Sequence, residues 1–367
     1  MLEITCVRTA NIKRNAQNGG DVLSLANKYR PKTWNDVVAQ SYVVDMLRSM
    51  CTCDLSNRNF LLIGPAGTGK TTLGRIIASE LNNGEGEPIE LDAASNNGVD
   101  TIRDLIQQAH LYPVGQKYKT FLIDECHSLT NQSWQALLKT IEESPAKSVF
   151  IFCTTNPEKI PSTILSRVQT FQLSKLALDD ITNRLIYVID QENKSDQHIT
   201  YEDDAVRYIA KLSNGGMRDA LTLLDKALVY SSDITSKSIV ESLGLPNYDD
   251  YFLLLSAITK HDNSKITSLV SSVYNSGQNF VKWFEAFHAF IMNVVKYIFM
   301  QNIQETMIPS HYEDKISKYT VAHAAVCLKL STILIHMIRD LKSTSYQQEI
   351  ALSYLCVISK KKAGSND

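Results

Sequence analysis

The sequence predicts an α/β fold in which a parallel sheet of five strands is followed by two all-helical segments. Between residues 25 and 174, short apolar runs alternate with stretches of helical periodicity, as in parallel sheets with crossover helices. After Leu173 the strands stop and only helical periodicity continues. A glycine-rich loop also joins the first predicted strand directly to a helix, which is typical of phosphate-binding α/β proteins.

The predicted elements follow from the apolar pattern, taken in chain order. Strands are predicted at 60–63, 88–91, 120–123, 148–153 and 169–173, where β-branched and aromatic residues are frequent. Helices are predicted at about 41–50, 70–82, 99–110 and 132–143 within this region. Later helices are predicted at 179–192, 202–213 and 217–231, and then at 251–259, 265–275, 279–301, 319–341 and 347–359. The resulting segments are an N-terminal arm 1–24, an α/β core 25–174, helical segments 175–244 and 245–362, and a tail 363–367.

Composition and charge limit the possible functions. The chain has 367 residues, 44% hydrophobic and 21% charged, which is ordinary for a soluble protein of two or three domains. Its net charge of −2 excludes nucleic-acid binding through overall charge, so DNA contact would need a local patch or several subunits. Seven scattered cysteines indicate a reducing compartment. The apolar stretch Phe287 to Met300 is interrupted by His288 and Lys296, which favours a cytoplasmic protein over a membrane protein.

The loop after the first predicted strand has the composition of a phosphate-binding site. Residues 64–71 match the pattern G-x-x-x-x-G-K-[ST]. Such a loop directs backbone N–H groups and a helix N-terminus at a phosphate chain, with Lys70 reaching the β- and γ-phosphates and Thr71 a ligand of Mg²⁺. The predicted nucleotide-binding residues here are Gly64, Pro65, Ala66, Gly67, Thr68, Gly69, Lys70, Thr71 and Thr72. The alternative is a glycine turn without a ligand.

Two acidic residues end the third predicted strand. Asp124 is expected to hold Mg²⁺ through water, and Glu125 to orient or polarise the attacking water. Adjacent acids after an apolar run are often only a strand-end turn. Together with the loop at Gly64, however, they indicate hydrolysis of a nucleotide rather than binding alone.

Five further segments have distinctive sequences: Lys28–Gln40 (KYRPKTWNDVVAQ), Leu91–Ser95 (LDAAS), Ala136–Glu143 (ALLKTIEE), Ile164–Arg167 (ILSR) and Gly216–Leu221 (GMRDAL). Together they resemble the AAA+ clamp-loader subunits, and most of all the gamma/tau subunits of bacterial DNA polymerase III. The resemblance covers about residues 25–230 and weakens to helical character beyond them. It implies an AAA+ P-loop core, a small helical lid at 175–244 and an all-α collar that holds several subunits together at 245–362.

The resemblance also implies roles for residues outside the loop. Thr155 corresponds to the sensor-1 residue that contacts the γ-phosphate or the attacking water, and Arg218 to the sensor-2 arginine of the lid. Arg167 matches the arginine finger that reaches the ATP of a neighbouring subunit, although Val168 stands where the family usually has cysteine. The alternatives are a strand-end hydroxyl for Thr155 and a surface cation for Arg218.

Contacts to adenine and to DNA are likewise implied by resemblance. Tyr29, Arg30, Val37 and Val38 resemble the segment that packs around adenine, and part of that segment would also serve as core. The positions corresponding to DNA contacts are Asn97, Arg103, Lys139 and Thr163. The cations that often follow the Ala-Ala-Ser motif are replaced here by asparagines, so this contact is expected to be weaker.

The sequence departs from the cellular gamma subunits in two places. The four-cysteine zinc module is missing after the loop helix, where Leu81-Asn82-Asn83 runs into Gly84-Glu85, and Cys51-x-Cys53 lacks a second pair. No zinc is therefore expected. The chain also ends without the long tau extension, which predicts a short, divergent loader subunit; a bacteriophage origin is one hypothesis.

The expected function is that of an ATPase subunit of a replication clamp loader, with ATP and Mg²⁺ as cofactors. It would open a sliding clamp and load it onto primer–template DNA, within a pentameric ring or spiral of loader subunits. The expected location is the cytoplasm of a bacterium or of a phage-infected host. The alternatives are a scaffold subunit that binds ATP without hydrolysing it, a DExH-type helicase suggested by Asp124-Glu125-Cys126-His127, or another AAA+ DNA motor.

Overall fold

The computed structural model describes residues 24–52, 59–84, 86–143, 145, 147–195, 198–245 and 248–358. Its first compact unit comprises the described residues up to 199 together with 209–229, and its second comprises 200–208 and those from 230 onward. The first unit thus combines the predicted α/β core with most of the predicted lid. The boundaries proposed at 174 and 244 stay predictions. Apart from Ser24, the N-terminal arm and the tail lie outside the described residues.

A parallel five-stranded sheet forms the centre of the first unit, which confirms the predicted fold class. Its strands are β1 Phe60–Ile63, β2 Ile89–Asp92, β3 Lys119–Asp124, β4 Ser148–Thr154 and β5 Gln169–Gln172. They lie in the order β2-β3-β4-β1-β5, and all neighbours are parallel. The carboxyl ends of β1, β4 and β3 are therefore adjacent at one edge, where open α/β sheets bind their ligands.

Helices connect and cover these strands. They are α1 Leu25–Lys28, α2 Ser41–Thr52, α3 Lys70–Leu81, α4 Val99–Ala109, α5 Asn131–Glu143, α6 Ser162–Leu165, α7 Leu178–Asn193, α8 Asp203–Leu212 and α9 Met217–Tyr230. Helix α8 crosses from the second unit to the first. All seven of the longer predicted helices in this part of the chain are present, with bounds that shift by one or two residues.

Side chains alternate between the two faces of the sheet, and both faces of the central strands β1, β3 and β4 are buried. In β3, Phe121 and Ile123 pack into a core cluster with α4 and α5, whereas Leu122 packs into the cluster with α3. In β4, Phe150 and Phe152 likewise face away from Ile151. A strand buried on both faces reads as a continuous apolar run, which is why these strands were recognisable in the sequence.

The prediction that strands stop after Leu173 is wrong in one detail. Strands β6 Thr200–Tyr201 and β7 Asp233–Ile234 form a parallel pair within the second unit. The Thr200 N–H donates to the Ser232 carbonyl at 3.0 Å, and the Glu202 N–H donates to the Ile234 carbonyl at 3.0 Å. Two residues are too few for an alternating pattern, so this pair left no periodic signal.

The rest of the second unit is helical. It contains α10 Ser236–Leu243, α11 Tyr248–Thr259, α12 Asn263–Asn275, α13 Phe280–Met300, α14 Glu313–Ile316, α15 Val321–Leu341 and α16 Gln347–Ile358. Helix α10 was not predicted; its N-terminus is capped by the Thr235 hydroxyl, which accepts from the Ser238 N–H at 3.1 Å. One apolar cluster of residues from α11, α12, α13, α15 and α16 forms the core of this unit.

Among the described residues, one segment, Val321–Lys342, is long and apolar enough to cross a membrane. It coincides with α15, in which Leu330, Leu334, Met337 and Leu341 are buried in the core of the second unit. Packing within the unit accounts for this apolar face.

Candidate active site

The loop between β1 and α3 has the backbone shape of a phosphate cradle. Gly67 and Gly69 have φ of +73° and +103°, in the left-handed region that glycine adopts without strain. Gly69 is the N-cap of α3 and offers no side chain to the first turn. Because N–H groups in the first turn of a helix have no intrahelical acceptor, those of α3 remain available to an anion.

The Lys70 side chain lies within this loop. Its Nζ donates to the carbonyls of Gly64 and Pro65, both at 2.9 Å, and the residue is only 6% exposed. A buried ammonium group needs polar partners, and carbonyl dipoles are weaker partners than an anion. Lys70 is therefore placed to bind a phosphate oxygen entering the loop.

Thr71 and Asp124 meet where a magnesium ion is predicted. The Thr71 Oγ1 donates to Asp124 Oδ2 at 2.6 Å across the carboxyl edge of the sheet. Among the described residues, no group of three or more His, Cys, Asp or Glu side chains could hold a metal. One hydroxyl and one carboxylate suit Mg²⁺, which retains waters and takes further oxygen ligands from phosphates. Cys53, half of the cysteine pair weighed for zinc, lies outside the described residues.

Glu125 follows Asp124 in a left-handed backbone conformation, with φ of +46°. This unusual conformation redirects its side chain out of the alternation of the strand. Its Oε2 accepts from the Thr155 hydroxyl at 3.2 Å and lies 3.2 Å from His127 Nδ1. The structure thus brings together the two residues that were predicted to act on the attacking water.

The start of helix α9 lies against the phosphate loop within the first unit. The Met217 N–H donates to the Gly67 carbonyl at 3.0 Å, and a Cβ on Gly67 would lie 3.0 Å from the Gly216 Cα. Arg218 is the next residue of this helix. The pKa of Arg30 is lowered, first by burial and then by the positive charges of Arg75 and Arg218, whereas the negative charges of Glu90 and Asp124 act in the opposite direction.

Helix α7 holds the predicted adenine-binding segment. Tyr29 donates from its hydroxyl to Glu192 Oε1 at 2.6 Å, and Lys28 Nζ lies 2.7 Å from the same oxygen. Arg184 Nη2 donates to the Tyr29 carbonyl at 3.2 Å. Burial, followed by the hydrogen bond to Glu192, raises the pKa of Tyr29, so the phenol stays protonated at neutral pH. Val37 packs against the core cluster beneath α3, and Val38 is half-buried.

Removal of the Glu192 carboxylate is expected to destabilise the first unit. Glu192 is 5% exposed, and Glu192→Ala leaves the Tyr29 hydroxyl without its acceptor. We expect the free energy of unfolding, measured by urea denaturation, to fall by about 2 kcal/mol. Glu192→Gln keeps an acceptor for the Tyr29 hydroxyl, and Lys28 is 45% exposed, so water can solvate its charge when the carboxylate is lost. We therefore expect the free energy of unfolding to fall by only about 1 kcal/mol in this variant.

Glu143→Gln is the control for this charge removal. Glu143 is 63% exposed and lies 4.0 Å from Lys139, so its loss is expected to change the free energy of unfolding by less than about 0.5 kcal/mol. Equal effects of Glu143→Gln and Glu192→Ala would contradict the structural role of Glu192.

The predicted arginine finger is held at a different place from the phosphate loop. Arg167 Nη1 donates to the Thr163 carbonyl at 2.8 Å, and Nη2 to Glu142 Oε1 of α5 at 3.1 Å. The side chain is 32% exposed. These contacts orient the guanidinium on the α5–α6 side of the unit, and the role in a neighbouring subunit's site stays a prediction.

The four predicted DNA contacts are exposed; three lie in different helices and one in the loop before α4. Asn97 precedes α4, and its carbonyl accepts from the Ser133 hydroxyl at 2.8 Å. Arg103 of α4 pairs with Asp100 at 2.9 Å, and Lys139 of α5 is 80% exposed. Thr163 lies in α6. No contact identifies these residues with DNA, and their role stays a prediction.

Three residues of the site were not predicted from the sequence. Arg75 lies in α3 and donates from Nη2 to Glu90 Oε2 at 2.7 Å, beside Arg30. Glu192 had no sequence signal, because its partners are more than 160 residues away. His127 belongs to the Asp-Glu-x-His pattern, which by itself indicates only a helicase motif and no role beside Glu125.

Two family descriptions and several curated relatives match this chain. Residues 88–177 match the family described as DNA polymerase III, delta subunit, and residues 180–233 match the DNA polymerase III clamp loader subunit, ATPase lid domain. The DNA polymerase III subunit gamma of Buchnera aphidicola subsp. Schizaphis graminum is 34% identical over 69% of this chain and 74% of its own length. That of Buchnera aphidicola subsp. Baizongia pistaciae is 31% identical over 80% of this chain and 85% of its own.

Longer relatives are covered only in part. The subunit gamma/tau of Mycoplasma genitalium is 33% identical over 75% of this chain, which spans about half (49%) of that relative. Among solved structures, the Thermotoga maritima RuvB Holliday junction branch migration motor aligns over 63% of this chain and 79% of its own. Its identity is 22% and the TM-score is 0.48, too low to support a functional comparison.

Proposed function

Because this chain belongs to the gamma/tau family of DNA polymerase III clamp-loader subunits, we propose that it binds ATP with Mg²⁺ and hydrolyses it to drive loading of a sliding clamp onto primer–template DNA. The observation that carries the proposal is the arrangement at the carboxyl edge of the sheet. Lys70, the Thr71–Asp124 pair and the Glu125–Thr155 pair surround the N-terminus of α3. These are the parts that phosphoryl transfer requires.

Each residue has a chemical task in this proposal. The N–H groups of the loop and the Lys70 ammonium bind the phosphates, and Thr71 and Asp124 would hold Mg²⁺, which neutralises charge on the phosphate oxygens. Glu125 orients the attacking water, and Thr155 fixes the Glu125 carboxylate. Arg218 adds positive charge from the lid, and Arg167 would act on the site of a neighbouring subunit.

Tyr29, Arg30, Val37 and Val38 form the proposed adenine-side wall. The contact between Met217 and Gly67 supports a coupling of ATP binding to lid position, because a phosphate bound in the loop would lie beside this contact. Other loader subunits, a sliding clamp and DNA are the proposed partners, with Asn97, Arg103, Lys139 and Thr163 facing the duplex. The proposed location is the cytoplasm of a bacterium or of a phage-infected host.

Hydrolysis is favoured over a passive scaffold role. A scaffold subunit needs the phosphate loop but no group on the attacking water, whereas here Glu125 and Thr155 are within hydrogen-bonding distance. A helicase of the DExH type needs a second RecA-like sheet domain. In the described part of the second unit, the one sheet is the pair β6–β7.

Replacement of Glu125 by glutamine tests the proposed hydrolysis. Glutamine keeps the size and a hydrogen-bond acceptor but is a much weaker base. In the assembly with partner subunits, clamp and primed DNA, we expect kcat for ATP to fall about a hundredfold, while the affinity for ATP stays within about twofold. A wild-type assembly without ATP turnover would contradict the proposed function, and unchanged turnover in Glu125→Gln would contradict the role of Glu125.

A further inference from the structure

We propose that His127 is a positioning residue for Glu125: its Nδ1–H, held against Thr154, attracts the Glu125 carboxylate and keeps it beside Thr155. This role rests on the proposed ATPase function and adds a residue to it. His127 does not touch the phosphate loop in the described contacts; it acts through Glu125.

The short turn after β3 fixes the place of the imidazole ring. His127 lies in the 3₁₀ turn Cys126–Ser128, and the Ser128 N–H donates to the Glu125 carbonyl at 2.9 Å. The His127 side chain is 15% exposed, and Nδ1 lies 3.1 Å from Thr154 Oγ1 and 3.2 Å from Glu125 Oε2. One ring nitrogen thus faces the end of β4 and the carboxylate together.

The chemistry of these neighbours decides which nitrogen carries the proton. A carboxylate can only accept a hydrogen bond, so a lone pair on Nδ1 at this distance would repel Glu125. The Thr154 side chain is fully buried, and its Oγ1 accepts from the Asn156 N–H at 3.0 Å, which holds this oxygen in place and leaves it a second lone pair for Nδ1–H. The nearby carboxylate therefore favours the tautomer with the proton on Nδ1, which lies 3.1 Å from Thr154 Oγ1 and 3.2 Å from Glu125 Oε2.

The Glu125 side chain needs neighbours that hold it in place, because its backbone conformation is unfavourable and its side chain is partly exposed. Its left-handed φ is strained in a residue other than glycine, and its side chain is 34% exposed. Thr155 and His127 converge on Oε2, which restricts rotation of the carboxylate. Oε1, for which the described residues offer no recorded partner, is left to accept from the attacking water.

The test compares replacements that differ in where they place an N–H group. Asparagine places its amide near the position of Nδ1, whereas glutamine places it near that of Nε2. In the assembled loader, His127→Ala is expected to lower kcat for ATP about tenfold, with KM and nucleotide affinity within about twofold. His127→Asn is expected to recover kcat to within about threefold of the wild type, and His127→Gln is not.

His110→Ala is the matched control, since His110 is an exposed histidine at the C-cap of α4, and its kcat is expected to be unchanged. Full kcat in His127→Ala, or equal recovery by asparagine and glutamine, would overturn the positioning role while leaving the ATPase proposal intact. A change in KM alone would also overturn it, since that indicates a binding or folding role. Absence of ATP turnover in both the wild type and His110→Ala would instead overturn the proposed function, and this inference with it.

Discussion

Replacement of Lys70 by alanine is expected to weaken ATP binding roughly thirtyfold to a few thousandfold and to abolish ATP-dependent clamp loading. The reason is the position of Nζ, which lies in the phosphate loop at 2.9 Å from two backbone carbonyls. Alanine removes the cation that compensates the phosphate charge in a desolvated loop, which costs about 2–5 kcal/mol of binding free energy. Equilibrium titration with a fluorescent ATP analogue measures the loss, and a clamp-loading assay on primed DNA measures its consequence.

Lys194→Ala is the matched control for Lys70→Ala. Lys194 is an exposed lysine at the C-cap of α7, and its loss is expected to leave both measurements unchanged. Because Lys70 is 6% exposed, the circular dichroism spectrum of the variant should first be shown to match the wild type. Wild-type ATP affinity or normal loading by a folded Lys70→Ala variant would refute the assigned nucleotide site.

Replacement of Arg167 by alanine is expected to lower ATP hydrolysis about a thousandfold in the assembled loader while ATP binding is retained. An arginine that acts in trans stabilises charge only in the transition state, so its loss lowers kcat rather than affinity. Glu142 and the Thr163 carbonyl hold Arg167 away from the loop of its own subunit, which supports action on a neighbour. The isolated chain is therefore expected to show the same low turnover with or without Arg167.

Two controls separate this role from a structural one. Arg48→Ala removes an exposed arginine from α2 and is expected to leave turnover unchanged. Glu142→Gln weakens the anchor of Arg167 but keeps the guanidinium, so a loss of no more than about fivefold is expected. Full ATPase activity in an assembly that carries Arg167→Ala would remove the finger assignment.

Several elements could be predicted because their signals are local. The strand 60–63, the loop and helix α3 form a continuous run in which apolar residues, glycines and helix periodicity follow one another. The central strands β1, β3 and β4 are largely buried and appear in the sequence as apolar runs, whereas the edge strands β2 and β5 are mostly exposed. All five strands were predicted to within one residue at each end. The short strands β6 and β7 and helix α10 were missed, since two residues carry no period and α10 spans only eight.

The residues of the candidate site also divide into those with a local sequence signal and those without one. Lys70 and Thr71 belong to one loop pattern and Asp124 and Glu125 to one strand end, so each pair was visible by itself. The hydrogen bond of 2.6 Å between Thr71 and Asp124, however, joins residues that are 53 positions apart in the chain, so the sequence pattern does not show it. The sequence predicts no role for Glu192, because nothing in its helical segment distinguishes it from an exposed glutamate. Its partners Lys28 and Tyr29 are distant in the chain and contact it only in the folded structure.

By itself the sequence determined the fold class, the phosphate loop and the acids that follow the third strand, since each depends on residues close together in the chain. Only the tertiary structure decided the strand order β2-β3-β4-β1-β5, the pairing of Thr71 with Asp124, and the convergence of Thr155 and His127 on Glu125. The physical reason is that periodicity records which face of an element is buried, whereas a site depends on which elements become neighbours. That choice is made by packing across the whole sheet.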